Sequence, residues 1–147
     1  MKQEMNLAIT RLKPKNLDRA AANCALFWDM SDSLQRLEEF LSDESNILLV
    51  AEVDGKPVGQ ALGYILKRWD VTPSKLFLYS IDVLESHRQH GIGRKLIDRF
   101  RQIGREYGCT ITFVITSESN LPAMQLYQAT GARRNNLDDV VFEWTES

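Results

Sequence analysis

The stretch LFLYSIDVLESHRQHGIGRKL, residues 76–96, joins three things end to end: a β-branched and aromatic run, a turn with two glycines, and the start of an amphipathic segment. Its first part, LFLYSIDVL, reads as a strand apolar on both faces and therefore central. From Ile92 the positions Leu96, Ile97, Phe100, Ile103 and Tyr107 follow helical spacing, while Arg94, Lys95, Arg99, Arg101 and Arg105 fall elsewhere and Gly108 is placed to end the helix. Strand, glycine turn and helix in this order present free backbone N–H groups, because the first four amides of a helix lack intrahelical acceptors and the dipole adds about half a positive charge there. Such a place binds phosphate. Gly91 and Gly93 are expected to take positive φ and let an oxygen approach closely, with Arg88, Arg94 and Lys95 adding charge at the rim. Neither a Walker A loop nor the dinucleotide fingerprint GxGxxG is present, so RxxGxG remains. Taken alone, that motif also suits a glycine-relieved turn before a solvated basic helix face.

Downstream, TITFVIT reads as a strand, LPAMQLYQAT as a helix stopped by Gly131, and VVFEW as a last strand. Upstream, NILLVAEVDGKPVGQALGYIL is a hairpin about Asp54-Gly55, a two-residue turn signal between strand-forming segments. LAITRL alternates as a short strand, after which Pro14 opens a helix through Leu17, Ala20, Ala21, Cys24 and Phe27. A second helix spans Ser31 to Phe40, capped by Asp32 or Ser33, with Leu34, Leu37 and Leu41 inward. The order is an antiparallel meander followed by β-α-β-α-β, which predicts a mixed α/β sheet with α+β character and helices on both faces.

At 147 residues, with 44% hydrophobic and 26% charged, the chain is expected to form one domain over residues 1–147. A net charge of -2 gives no general attraction to nucleic acid or anionic lipid, so neither is an expected partner. Cys24 and Cys109 have no CxxC spacing, and no apolar run reaches the roughly 18 residues of a membrane span, which points to the cytoplasm and to thiols acting as small hydrophobes. His87 and His90 are spaced HxxH without Glu or Cys in ligand spacing, so no metal is expected. Trp28, Trp69 and Trp144 are not interleaved with the Arg/Lys cluster and read as packing.

These motifs together resemble the GNAT superfamily of N-acetyltransferases, whose signature is Gln or Arg, two residues, Gly, one residue, then Gly or Ala. Arg88, Gly91 and Gly93 match it, and SESNLPAMQLYQATGA matches the second motif of Asn, a helix carrying Leu-Tyr, and a terminating Gly. The stretch LEEFLSDESNILLVAEVDGKPVGQALGYILKRWD with LFLYSIDV looks most like aminoglycoside 3-N-acetyltransferases. The resemblance implies a twisted, mostly antiparallel sheet of about six to seven strands, splayed in the middle. It implies acetyl-CoA as co-substrate, a small-molecule amine as acceptor, and allows a homodimer. The pyrophosphate would lie on the backbone of Gln89, His90, Gly91, Ile92, Gly93 and Arg94, with Lys95 beside it. The pantetheine arm would run along Ile81 to Val83, whose last N–H can polarise the thioester carbonyl. Asn120 would touch the cofactor, or else cap the helix that follows it.

Tyr127 matches the family tyrosine that protonates the departing thiolate, although a tyrosine at an apolar helical position is also explained by packing. Related aminoglycoside enzymes look to have Asp where this chain has Ser80. Asp82 shares that side of the strand by period-two alternation and can supply the carboxylate that takes the amine's proton; Tyr79 would hold a water on the opposite side. A cationic acceptor would favour acidic walls, for which Asp29, Asp32, Asp138, Asp139 and Glu143 are candidates or merely solvated surface. No nucleophile elbow or Cys-His pair argues for a covalent acyl-enzyme, so direct attack is expected. The competing readings are a CoA-binding sensor without turnover, a peptide or protein N-acetyltransferase and, last, a nucleic-acid module using the basic helix.

Overall fold

A computed structural model describes residues 5–30 and 33–146. Strand β1 (Leu7–Arg11) leads through a 3-10 turn at Pro14–Asn16 into α1 (Leu17–Cys24) and then α2 (Leu34–Ser42). The hairpin is β2 (Asn46–Val53) and β3 (Lys56–Leu66), followed by β4 (Lys75–Val83), α3 (Ile92–Glu106), β5 (Ile111–Val114) and α4 (Leu121–Ala129). The five strands lie in chain order, antiparallel except for the parallel pair β4–β5. Asp54 and Gly55 both have positive φ, 51° and 80°, as the primed turn of a two-residue hairpin requires.

The sheet carries apolar side chains on both faces. Ile47, Leu49 and Ala51 of β2 pack with Leu96, Phe100 and Ile103 of α3, whereas Leu48 and Val50 pack with Ala20 and Cys24 of α1 and Leu41 of α2. Thus β2 is the strand covered on both faces, whereas β4 is covered toward α3 but leaves Tyr79 and Asp82 exposed, and only its residues Lys75–Leu78 pair with β5. Beyond Leu78 the two strands part. The register between β3 and β4 shifts between Leu62 and Gly63, so that Leu62 faces Ser80 and Gly63 faces Leu78, leaving Tyr79 as the extra residue of a β-bulge.

Several expectations are corrected. The first helix ends at Cys24, and Phe27 lies in the turn beyond it. VVFEW forms no strand: Val140, Val141, Phe142 and Trp144 are exposed, and five strands, not six or seven, are formed among the described residues. Alternation says which face of a strand would be buried but names no partner, and this segment pairs with none of the five. Ser33 stands at the N-cap of α2; the alternative cap, Asp32, lies outside the described residues. Gly108 and Gly131, with φ of 82° and 91°, follow α3 and α4 as expected. Cys24 and Cys109 are buried and free, and burial pushes the Cys24 thiol up to about 11. No helix among the described residues is long and apolar enough to cross a membrane.

Gly63 sets how closely α3 lies on the sheet. A Cβ there would fall 2.2 Å from the Phe77 carbonyl oxygen and 2.3 Å from the Phe100 ring. Gly63→Ala is therefore expected to cost about 1–3 kcal/mol by overpacking, read as a fall of about 3–10 °C in Tm. An unchanged melting curve would contradict this packing.

Candidate active site

Four elements converge where β4 leaves β5. Leu84 N–H donates to the Val58 carbonyl at 2.8 Å, so Leu84 and Val58 form a hydrogen-bonded pair. By the alternation of an antiparallel ladder, the backbone groups of Ile81 and Val83 then point away from β3. On that side β5 has already ended its pairing, and the edge is open. The Val83 carbonyl accepts from Arg88 Nε at 3.1 Å, which ties the strand end to the turn that follows.

The turn itself holds two left-handed residues, Gln89 at φ 63° and Gly91 at φ 79°. Gly91 is the N-cap of α3, and the first helical bond runs from Lys95 N–H to the Gly91 carbonyl at 3.1 Å. The amides of Ile92, Gly93 and Arg94 therefore precede any intrahelical acceptor. Nothing lies within 4 Å of the place a Gly91 Cβ would occupy, so the approach is open. His90 Nδ1 lies 2.7 Å from the Arg88 carbonyl and braces the loop from within. Gly93 differs from its expected role: it is helical, and its missing side chain makes room for Leu126 of α4, 3.1 Å from where a Cβ would be. Its purpose is helix packing. Arg94 and Lys95 are exposed on the first turn.

On the α1–α2 face, one buried side chain organises the polar groups. Gln60 of β3 is fully buried, and its Nε2 donates to Asp82 Oδ2 at 2.5 Å and to Ser80 Oγ at 3.1 Å. Asp82 and Ser80 thus share a face, as alternation predicts. Tyr79 was expected on the opposite one. The bulge instead brings Ser80 and Asp82 to its side, where its ring meets Tyr64 and Phe77, each at 5.8 Å. Gln60 was missed because a glutamine within a strand carries no motif; its signal was an uncharged polar residue inside an apolar run. Its Oε1, and both amide atoms of buried Asn23, have no partner among the described residues.

Tyr127 of α4 is half-buried with its ring against the α3-side core, and its hydroxyl has no hydrogen bond among the described residues. Burial pushes its phenol above the ordinary value of 10, and the negative charge of Asp82 pushes the same way. The two candidates are therefore brought within each other's field. A cavity of about 370 Å³ runs from Leu78 and Val114, the last paired residues, to Tyr127 and Gly131. Asn120 is the N-cap of α4: its Oδ1 accepts from Ala123 N–H at 3.3 Å, the capping role left open by the sequence. Asp138, Asp139 and Glu143 sit on the exposed segment after α4 and do not line this cavity. Asp29 follows α1 and Asp32 lies outside the described residues. No group of three metal-ligating side chains forms among the described residues.

An open strand edge thus runs into a helix turn whose first N–H groups are unpaired by the helix. The acetyltransferase (GNAT) family model matches residues 15–132, and the chain belongs to that family. Human N-acetyltransferase 8B is 31% identical over 110 residues, covering 75% of this chain and 47% of its own length. Thialysine N-epsilon-acetyltransferase of Bos taurus is 29% identical over 131 residues, covering 80% and 77%. The chain spans about half the length of the human relatives it matches. Among solved structures, an aminoglycoside acetyltransferase from an uncultured soil metagenomic sample, in complex with trehalose, superposes with a TM-score of 0.86 at 25% identity, covering 97% of each chain. The aminoglycoside N-acetyltransferase AAC(6')-Iy in complex with CoA gives 0.83 at 23%, covering 100% and 99%. That second likeness speaks for the fold, a mixed α/β GNAT sheet. The enzyme named is a 6'-N type, so the narrower 3-N resemblance finds no support.

The electrostatics of the site give a direct check. In an absorbance titration, the phenolate lost in Tyr127→Phe is expected above pH 10 in the parent protein and at lower pH once Asp82→Asn removes the neighbouring charge. Ionisation of Tyr127 at or below pH 10, indifferent to Asp82, would contradict the geometry.

Proposed function

We propose that the chain transfers the acetyl group of acetyl-CoA to a primary amine of a small molecule by direct attack. The observation that carries this is the parting of β4 from β5 beside the Gly91 turn, with the unbonded hydroxyl of Tyr127 on α4 within the electrostatic reach of the Asp82 carboxylate. The diphosphate of the donor lies on the amides of Gln89 to Arg94, with Arg94 and Lys95 at the rim. Its amide-bearing arm pairs with the exposed backbone of Ile81 and Val83, as an added strand does. The Val83 N–H then faces the thioester carbonyl, where negative charge develops. Arg88 holds the Val83 carbonyl and so fixes the direction of that N–H.

The acceptor must lose a proton, since an amine with a pKa of roughly 10.4 is neutral about once in a few thousand molecules at pH 7. Asp82 takes it directly or through a water shared with Ser80, held in place by Gln60. Tyr127 carries its proton throughout the neutral range, because its phenol is pushed up, and it donates to the departing thiolate. The ammonium gives its first proton to Asp82. As the C–N bond forms and the C–S bond breaks, Tyr127 protonates the thiolate and the second proton of the attacking nitrogen returns through water to the tyrosine oxygen, so that one proton in all is released, from Asp82 to solvent. Small cationic amines are the acceptor class; a solved structure of like fold is named for aminoglycosides, and the lining of the acceptor side narrows the class for this chain.

A second reading, a CoA-binding sensor without turnover, rests on Ser80 standing where related enzymes look to have Asp. Release of CoA thiol over a panel of amines decides between them. Tyr127→Phe is expected to lower kcat by about 10²-fold, within the usual range for one acid-base group, with CoA affinity unchanged. Asp82→Asn should weaken turnover most at low pH, where free amine is scarcest. Tight CoA binding with no thiol release from any amine would establish the sensor instead.

A further inference from the structure

Within that transfer reading, we propose that the acceptor is a monoamine carried on a compact apolar or aromatic body, not a polycation. A second cavity, of about 260 Å³, opens on the α1–α2 face beside the polar groups. Leu48 and Leu62 form its floor, and Leu62 is the register partner of Ser80. Tyr64 forms one side and touches the ring of Tyr79, while Trp28, Leu37 and Phe40 close it from above. The aromatic walls continue across the sheet: Phe40 meets Tyr64, Tyr64 meets Tyr79 and Tyr79 meets Phe77, all edge to face at 5.8 Å, and Phe77 stacks on Phe113 at 4.7 Å.

The chemistry of this lining selects against an acceptor with many charges. No carboxylate is among the described residues that line it. Cys24 and Tyr64 supply no negative charge either, because burial pushes both groups up and keeps them neutral at physiological pH. Among the described residues, Arg36 is the one charged side chain in the lining; it is exposed, makes no ion pair with another described residue, and repels further cations. A single ammonium can rest on an aromatic face before giving its proton to Asp82. The remaining ammonium and hydroxyl groups of an aminoglycoside would meet leucine and methionine, which offer no hydrogen bonds. The volume is at the small end for ligand pockets, which run from roughly 300 Å³ upward, and favours a compact body.

The test titrates the CoA-loaded protein with phenethylamine and with kanamycin by calorimetry and, in separate reactions supplied with acetyl-CoA, follows acetyl transfer to each by thiol release. Phenethylamine is expected to bind at least tenfold more tightly than kanamycin and to show at least tenfold higher kcat/KM. In Arg36→Glu, an exposed change that leaves the core intact, both amines should bind more tightly, kanamycin by the larger factor because it carries several ammonium groups, so that the preference for phenethylamine narrows several-fold. Equal or tighter binding of kanamycin by the parent protein, or no measurable binding of phenethylamine, overturns the proposal. Preferential binding of phenethylamine with no thiol release supports the pocket's selectivity and tells against transfer alone.

Discussion

Everything at the site depends on β4 being paired on both edges for only half its length. Up to Leu78 it is held by β3 on one side and β5 on the other; above Leu78 only β3 remains. The bulge at Tyr79 lies at that boundary. An extra residue bends a strand and increases its twist, so β4 turns away from β5 and its outer backbone groups are left without partners. Unpaired strand edges are a liability that folded proteins usually cover. Here the edge runs directly into the Arg88–Gly91 turn, and Arg88 anchors the two together through the Val83 carbonyl.

The bulge also explains the two-sided character of the site. Without it, Tyr79 would still lie beside Phe77, but Ser80 and Asp82 would follow Leu76 and Leu78 toward α3. With it, Phe77, Tyr79, Ser80 and Asp82 all present on the α1–α2 face, while Ile81 and Val83 pack toward α3. Aromatic rings, a carboxylate and a hydroxyl thus share one surface, and the Gly91 turn with its free helix N–H groups lies beyond the end of the same strand. Gln60 completes the arrangement. A fully buried amide that bonds both Ser80 and Asp82 fixes the carboxylate's orientation in a way that solvent alone does not.

Much of this was legible in the residues. The Asp54-Gly55 hairpin, the amphipathic α3 with its glycine stop and the Asn120 to Gly131 helix follow from turn chemistry and from 3.6-residue spacing, which depend on neighbours in sequence. The features that were not legible depend on partners distant in sequence. Alternation cannot reveal a bulge, because the extra residue is defined only against the facing strand; hence Tyr79 was placed on the wrong side. Gly91 and Gly93 look alike in RQHGIGRK, yet one supplies a left-handed cap and the other a gap for Leu126, a residue more than thirty positions away. The VVFEW segment carries a strand's pattern and pairs with no strand of this sheet.

Amide hydrogen exchange with and without CoA tests the account most directly, because the claim concerns particular unpaired backbone groups. The amides of Ile81, Val83, Ile92, Gly93 and Arg94 are predicted to exchange readily in the free protein and to slow together when CoA is added. Protection confined to other parts of the chain, or no change at these five amides under saturating CoA, would contradict it.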